Sequence, residues 1–203
     1  MRLPGLLFKL GTVDVTSIES EVSKLTQKQW LEWNLRQSKY RVHSTTETYP
    51  FMFSEYGEEA KQYNLDTNIW KVTKPIVEQL ENFYNRKAGV VILVKLKPKT
   101  TIPEHEDGGW FVNTHRVHIP IITDPNIFFT FLQDRQYMYH LKRGEIYEFN
   151  NIVKHGVINQ TNIARVHLLV DMLPKSIANP AILKSPLESI GYESLKINEL
   201  LTP

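Results

Sequence analysis

The spacing of apolar positions changes character once along this chain, near residue 88. Before that point Ile18, Val22, Leu25, Trp30, Trp33 and Leu35 recur at roughly every third or fourth position, with Glu and Lys between them, and this predicts helix over 16–37. A second stripe, Val72, Ile76, Leu80 and Phe83 or Tyr84, predicts a helix between Thr67 and Arg86. Pro75 lies inside that stripe, so either the regular helix begins near Thr73 or it kinks at the proline. The intervening stretch from Ser38 to Asp66 is polar and aromatic, and Tyr49-Pro50-Phe51 excludes helix there.

From Ala88 the pattern is one of short β-branched and aromatic runs separated by turn residues: 89–97, 115–122, 127–132, 137–141, 145–149, 153–159 and 164–172. Strands at this spacing predict a sandwich or barrel, not alternating βαβ units. The expected fold is mainly β, a double-sheet jelly roll with the N-terminal helices packed on one outer face. The expected division is a helical and loop segment over 1–87, a barrel core over 88–173, and a tail over 174–203 that is mostly loop with a helical turn near Leu187, all within one domain.

Composition narrows the functional classes. A chain of 203 residues is one ordinary domain long. With 24 basic and 22 acidic residues its formal charge is +2, too small a surplus for a phosphate footprint, so no nucleic-acid partner is expected. Cysteine is absent, which removes disulfides, thiolate zinc sites and cysteine nucleophiles. No apolar run approaches the roughly 18–20 residues of a membrane span, and Pro4-Gly5 interrupts the first apolar stretch where a signal peptide needs continuity. The expectation is a cytoplasmic protein without a membrane partner. Seven histidines leave metal chemistry open.

Three stretches carry that chemistry. In His105-Glu106-Asp107 the first and third residues project to one side of an extended segment, where one metal ion can touch both. The pair alone is a weak signal, since roughly 0.8 such pairs arise by chance from this many histidines and acids on the i, i+2 alternation. His155 begins a strand, and the polar cluster Asn159 to Asn162 predicts a hairpin joining 153–159 to 164–172. His155 and Arg165 would then oppose one another, and an arginine there asks for an anion. In Arg116-Val117-His118, alternation puts Arg116 and His118 on one face of a strand; such a face is ordinarily a solvated one. Two histidines and a carboxylate with open positions form the ligand set of non-haem Fe(II) oxygenases.

Assembled in order, these segments resemble the aspartyl/asparaginyl β-hydroxylase family of Fe(II)- and 2-oxoglutarate-dependent oxygenases. The resemblance runs through Leu96-Lys-Pro-Lys-Thr-Thr-Ile-Pro-Glu-His105-Glu-Asp107, Arg116-Val-His118-Ile-Pro, Arg143-Gly-Glu-Ile-Tyr-Glu-Phe-Asn150, His155-Gly-Val-Ile-Asn and Arg165-Val-His-Leu-Leu-Val-Asp171. The ten-residue step from His155 to Arg165 is its most specific feature. It implies a double-stranded β-helix (cupin-like) barrel in which His105, Asp107 and His155 hold iron. It further implies that Arg165 binds the distal carboxylate of 2-oxoglutarate, that His118 contacts this co-substrate, and that Arg116 faces its metal-binding end or an acidic group of the substrate. Dioxygen completes the reactants.

The presence of Asp107 makes the set similar to bacterial members that hydroxylate free amino acids such as proline. Val94 stands where the family can place a serine on the co-substrate carboxylate, which leaves Thr or Tyr of another strand to replace it. The expected substrate is an amino-acid side chain, free or within a peptide or protein. The alternatives are a cupin-like module that binds a metal and a small carboxylate without turnover, and a zinc hydrolase. Glu104, Glu106 and Asn150 are candidates to orient the ligand imidazoles. Arg41, His43, Thr45 and Thr46 are candidates for a lid or substrate wall, and Trp110 is a candidate for stacking over the mouth. Trp30, Trp33 and Trp70 are read as core, and His115, His140 and His167 as structural or exposed.

Overall fold

The computed structural model describes residues 5–133 and 135–174; the expected tail and its turn near Leu187 lie outside these. Among the described residues there are eleven strands: β1 Leu7–Thr12, β2 Thr46–Phe53, β3 Lys61–Gln62, β4 Ala88–Leu96, β5 Thr101–His105, β6 Arg116–Ile122, β7 Ile127–Leu132, β8 Gln136–Tyr139, β9 Glu145–Phe149, β10 Lys154–Asn159 and β11 Arg165–Met172. They form two antiparallel sheets, of order β1-β9-β6-β11-β4-β2-β3 and β5-β10-β7-β8. This is a jelly roll, and all seven expected β runs are strands of it.

The segment before residue 88 does more than pack on the barrel. Its strands β1 and β2 belong to the larger sheet, β2 pairing with β4 from Thr46↔Leu96 to Phe53↔Val90. Seven of the eight β2 residues are buried, so the alternation that would have marked a strand in the sequence is lost. The helical region over 16–37 also divides, into α1 Thr16–Val22, α2 Gln27–Glu32 and α3 Leu35–Lys39. Thr26 is extended (φ −72°, ψ 157°) and restarts the chain with a capping box to Gln29, and Trp33 is extended again before α3. Helix α4 runs Asn68–Tyr84 from an N-cap at Thr67, so Pro75 lies in its interior and not in a first turn. Asn85, at φ 49°, ends it in the left-handed conformation.

Strand alternation gives the large sheet two buried faces. Val166, Leu168, Val170 and Met172 of β11, with Val117 and Ile119 of β6, point outward onto Ile18, Val22, Ile76 and Leu80 of α1 and α4. The opposite set faces the small sheet and includes Arg116, His118, Arg165, His167 and Asp171, all buried. The face of β6 that strand alternation alone would ordinarily leave to solvent is thus the inside of the barrel. At one end the interior is filled by Phe129, Phe131, Tyr147, Phe149 and their neighbours; at the other, Phe53, Val90, Ile92 and Leu169 are covered by Trp33 and Leu35.

Candidate functional site

Strands β5 and β10 pair in the register His105↔His155, which sets the two imidazoles side by side with centroids 4.5 Å apart. Two residues beyond His105, Asp107 is tied by its backbone N–H to the Asn151 carbonyl at 3.2 Å. Its carboxylate lies 4.0 Å from His105 Nε2 and 3.9 Å from His155 Nε2. One ligand atom from each residue lies within 4.8 Å of the others.

The tautomers follow from the hydrogen bonds. His105 Nδ1 is 2.8 Å from the Pro103 carbonyl and His155 Nδ1 is 2.8 Å from the Val153 carbonyl. A carbonyl only accepts, so Nδ1 carries the proton in both rings and each Nε2 presents a lone pair towards Asp107. Backbone oxygens therefore orient the imidazoles, not Glu104, Glu106 or Asn150. Glu104 instead accepts from Gln136 at 2.9 Å. Burial pushes the His155 pKa down to about 4, against the raising effect of Asp107, so the ring is neutral near pH 7. For Asp107, burial raises the pKa, but the charge of Arg116, helped by His155, His105 and Arg36, outweighs it and holds the carboxyl below its ordinary value. Two imidazole nitrogens with Nε2 free and a carboxylate suit a divalent first-row metal, and the donor set fits Fe(II).

Arg116 is placed beside this cluster, yet its guanidinium is already engaged. Nε and Nη2 donate to the two oxygens of Asp171 at 2.7 and 2.8 Å, and Nη1 donates to Asp107 Oδ2. Three of its five N–H donors are thereby engaged: Arg116 clamps the candidate ligand Asp107, and two N–H groups remain for the expected role towards the co-substrate or a substrate acid.

Arg165 differs from the sequence expectation in its surroundings. Strand β10 pairs with β5 and β7, whereas β11 pairs with β4 and β6, so 153–159 and 164–172 do not form a hairpin. The cluster at Asn159 is a jelly-roll corner: its side chain accepts from Thr161 and donates to the carbonyls of Lys97 and Ile163, carrying the chain from one sheet to the other. His155 and Arg165 thus belong to opposite sheets, and Phe149 and Phe129 border them. The Phe149 ring lies 5.0 Å from His155 and 4.8 Å from His118, and the Arg165 guanidinium stacks 4.9 Å from Phe129.

Arg165 is 1% exposed. Its Nη2 donates to His167 Nδ1 at 2.8 Å, while Nε and Nη1 have no partner. Burial, then the charge of Arg36, pushes its pKa down to about 9. His118 lies on the other side of His167, with Nδ1 atoms 3.4 Å apart. Burial, then Arg165, keeps both imidazoles well below their ordinary pKa and hence neutral. His167, read as structural or exposed, is therefore part of this cluster. Val94 pairs with His167 in the sheet register, and it is His167 that bonds Arg165 there. The only signal for it in the sequence is that it shares strand parity with Arg165.

A cavity of about 520 Å³ adjoins the His105 and Asp107 side of the cluster. Apolar Phe53, Val90, Ile92 and Leu169 form one wall, and Arg36, His43 and Trp110 another. Trp110 stacks on Phe111 and donates to the Glu55 carbonyl at 3.2 Å. Of the lid candidates, His43 lines the cavity and is buried. Arg41 is exposed, and Thr45 and Thr46 bond to backbone carbonyls. Arg36, which sequence reasoning passed over as one more charge on a helix, is buried there. His115 is buried outside the site on Glu148 and Tyr84, as a structural residue.

The family model described as Aspartyl/Asparaginyl beta-hydroxylase matches residues 13–174. No curated protein matches the sequence. Solved structures do. An oxidoreductase of the 2OG-Fe(II) oxygenase family from Burkholderia pseudomallei is 10% identical at a TM-score of 0.52, covering 84% of this chain and 95% of its own. A prolyl-4-hydroxylase from Pseudomonas putida is 10% identical at 0.52, covering 85% and 95%. At these identities the likeness establishes the fold. No helix among the described residues is long and apolar enough to cross a membrane.

Proposed function

This chain belongs to the aspartyl/asparaginyl β-hydroxylase family of 2-oxoglutarate-dependent oxygenases, and from that premise we propose that it hydroxylates an amino-acid side chain, free or peptidyl, in a cytoplasmic setting. The observation that carries the reading is the pairing of two unmet needs in one barrel. Three ligand atoms stand within 4.8 Å with their lone pairs converging, and across the barrel from them a fully buried guanidinium lacks an anion. One molecule carrying a chelating end and a distal carboxylate satisfies both.

His105, Asp107 and His155 would hold Fe(II), with Arg116 steadying the free oxygen of Asp107. Arg165 would receive the distal carboxylate of 2-oxoglutarate on its unpartnered donors, a charge-assisted contact. His118 and His167 would border the co-substrate, neutral and unable to compete with Arg165 for its charge. When bound, iron and 2-oxoglutarate supply the oxidising chemistry: 2-oxoglutarate and dioxygen yield succinate and carbon dioxide while one oxygen atom enters a C–H bond. The chain itself orients these groups and, through Phe129, Phe131 and Phe149, keeps bulk water from the interior.

The test is a titration of the Fe(II)-loaded protein with 2-oxoglutarate, followed by succinate production with a panel of amino acids and peptides that includes proline, asparagine and aspartate. The expected result is saturable 2-oxoglutarate binding, succinate release stimulated by a panel member, and a 16-dalton gain in that member. His155→Ala should abolish turnover while sparing the fold. Activity within tenfold of the unaltered protein would remove His155 from the metal site. Metal and 2-oxoglutarate binding without turnover on any substrate would favour the non-catalytic module.

A further inference from the structure

The cavity beside the metal ligands contains a second cation that the proposed chemistry does not use. Arg36, on α3, is 8% exposed. Its Nη2 donates to His43 Nε2 at 3.1 Å, and its Nη1 has no partner. Arginine only donates, so His43 Nε2 must accept and the proton of this ring sits on Nδ1, which is also buried without a partner. Two buried donors thus lack acceptors. Of the carboxylates lining the cavity, Asp107 and Asp171 are committed to Arg116 and Glu55 to Lys39, while Glu106 is exposed. Among the described residues Arg36 has no carboxylate partner.

Buried donors without acceptors are costly and rare, and the missing acceptor here belongs to whatever fills the cavity. Resting on the function proposed above, we infer that Arg36, held in place by His43, binds the free α-carboxylate of an aliphatic amino-acid substrate, whose hydrocarbon body lies on Phe53, Val90, Ile92 and Leu169. Three observations converge on this. The two donors and the apolar wall line the same cavity, whose volume of about 520 Å³ is in the range of small-molecule sites. His43 touches His105 edge to face, with centroids 5.5 Å apart, so a carboxylate held there leaves the first carbons of the side chain next to the metal ligands. Arg165, His118 and His167 do not line this cavity, so the second carboxylate site is separate from that of the co-substrate.

The inference also chooses between the two substrate forms. A residue inside a peptide carries an amide on either side and brings no carboxylate to Arg36 unless its side chain is acidic. An acidic side chain in turn has no use for the apolar wall. The free amino acid meets both demands.

The experiment uses the full chain loaded anaerobically with Fe(II) and 2-oxoglutarate. L-proline, L-leucine and L-isoleucine are each titrated against their primary amides and against blocked peptides holding the same residue internally. Binding is read from the perturbation of the metal–2-oxoglutarate absorption band and, independently, by calorimetry. At least one acid should bind tenfold or more tightly than its amide and its peptide. Arg36→Gln should weaken that acid at least tenfold, with partial recovery in Arg36→Lys.

Equal binding of acid and amide, or no binding of any acid to a protein that does bind 2-oxoglutarate, overturns the inference and leaves the oxygenase reading standing. Failure of the unaltered protein to bind 2-oxoglutarate overturns the oxygenase reading and the inference with it. If Arg36→Gln weakens 2-oxoglutarate instead of the amino acid, the arginine serves the co-substrate and the inference falls. Should the variant not fold, the comparison of acid with amide on the unaltered protein decides alone.

Discussion

Arg116 and Asp171, opposite each other on β6 and β11, are joined by two parallel hydrogen bonds of 2.7 and 2.8 Å, and the remaining arm of the arginine reaches Asp107. Both side chains are buried, and the three residues form a relay in which Asp171 fixes the arginine and the arginine fixes the candidate metal-binding carboxylate. Burial raises the Asp171 pKa against the charge of Arg116, while Asp107 and Asp171 together raise that of Arg116 against its own burial.

Asp171→Asn should therefore do two separate things. Breaking one partner of a buried ion pair costs about 3–5 kcal/mol, to be read from urea unfolding. The freed guanidinium would then compete for Asp107, raising the metal dissociation constant by about 10–100-fold, the usual reach of groups that orient a metal ligand. An unchanged metal affinity in a folded variant would show that Arg116 is held in place without Asp171.

Arg165→Met removes a buried charge that no described carboxylate balances. Binding of 2-oxoglutarate should weaken by about 2–5 kcal/mol, the usual cost when a buried hydrogen-bonded charge loses its partner. Stability without ligand should stay level or rise, since an unpaired buried guanidinium burdens the empty protein. A co-substrate dissociation constant that does not move would assign the distal carboxylate to another residue.

Gly156 lies where β10 passes close to β5. A Cβ there would stand 2.8 Å from the Ile102 carbonyl oxygen, a backbone atom that cannot step aside. Gly156→Ala should force the two strands apart, at a stability cost of about 1–3 kcal/mol for overpacking. Because the same pairing sets His105 against His155, metal affinity should fall with it. Retention of full metal binding would mean that the register does not depend on this contact.

The buried histidines set the response to acid. His118 and His167 have folded pKa values well below the ordinary one, because of burial and then Arg165, and His155 sits at about 4. The unfolded chain takes up these protons near pH 6.5 and the folded chain does not. Their contribution is thus complete above about pH 6.5 and is lost as the pH falls below it, by about 1.4 kcal/mol per pH unit for each histidine. The urea midpoint should drop between pH 7.5 and 5.5, a window above the titration of ordinary carboxylates. A midpoint that holds or rises over that interval would place these rings in contact with water.

Local features of this protein were legible in its sequence. The runs from 88 onward became strands because turn residues bracket them, and the i, i+2 spacing brought His105 and Asp107 to one side of the chain. Alternation likewise put Arg116 with His118 on a shared face. These properties depend only on the pleat of a single strand, whose period is two wherever the strand lies.

Only the tertiary structure decided which face met which. The corner at Asn159 looks like a hairpin turn because polar residues serve both purposes, yet it sends β10 and β11 into different sheets and sets His155 across the barrel from Arg165. Alternation could not show that Arg116 would be claimed by Asp171, fifty-five residues away, or that His167 would join Arg165. Strands β1 and β2 stayed hidden for a related reason: β2 is buried on both sides, and burial on both sides erases the pattern that marks a strand. Arg36 falls within the helix expected over 16–37 and His43 among the lid candidates, but only the folding of α3 over the barrel shows that their donors are left without acceptors. Sequence records what each segment prefers, but pairing between distant segments is settled by packing, and the chemistry of this site is made almost wholly of such pairings.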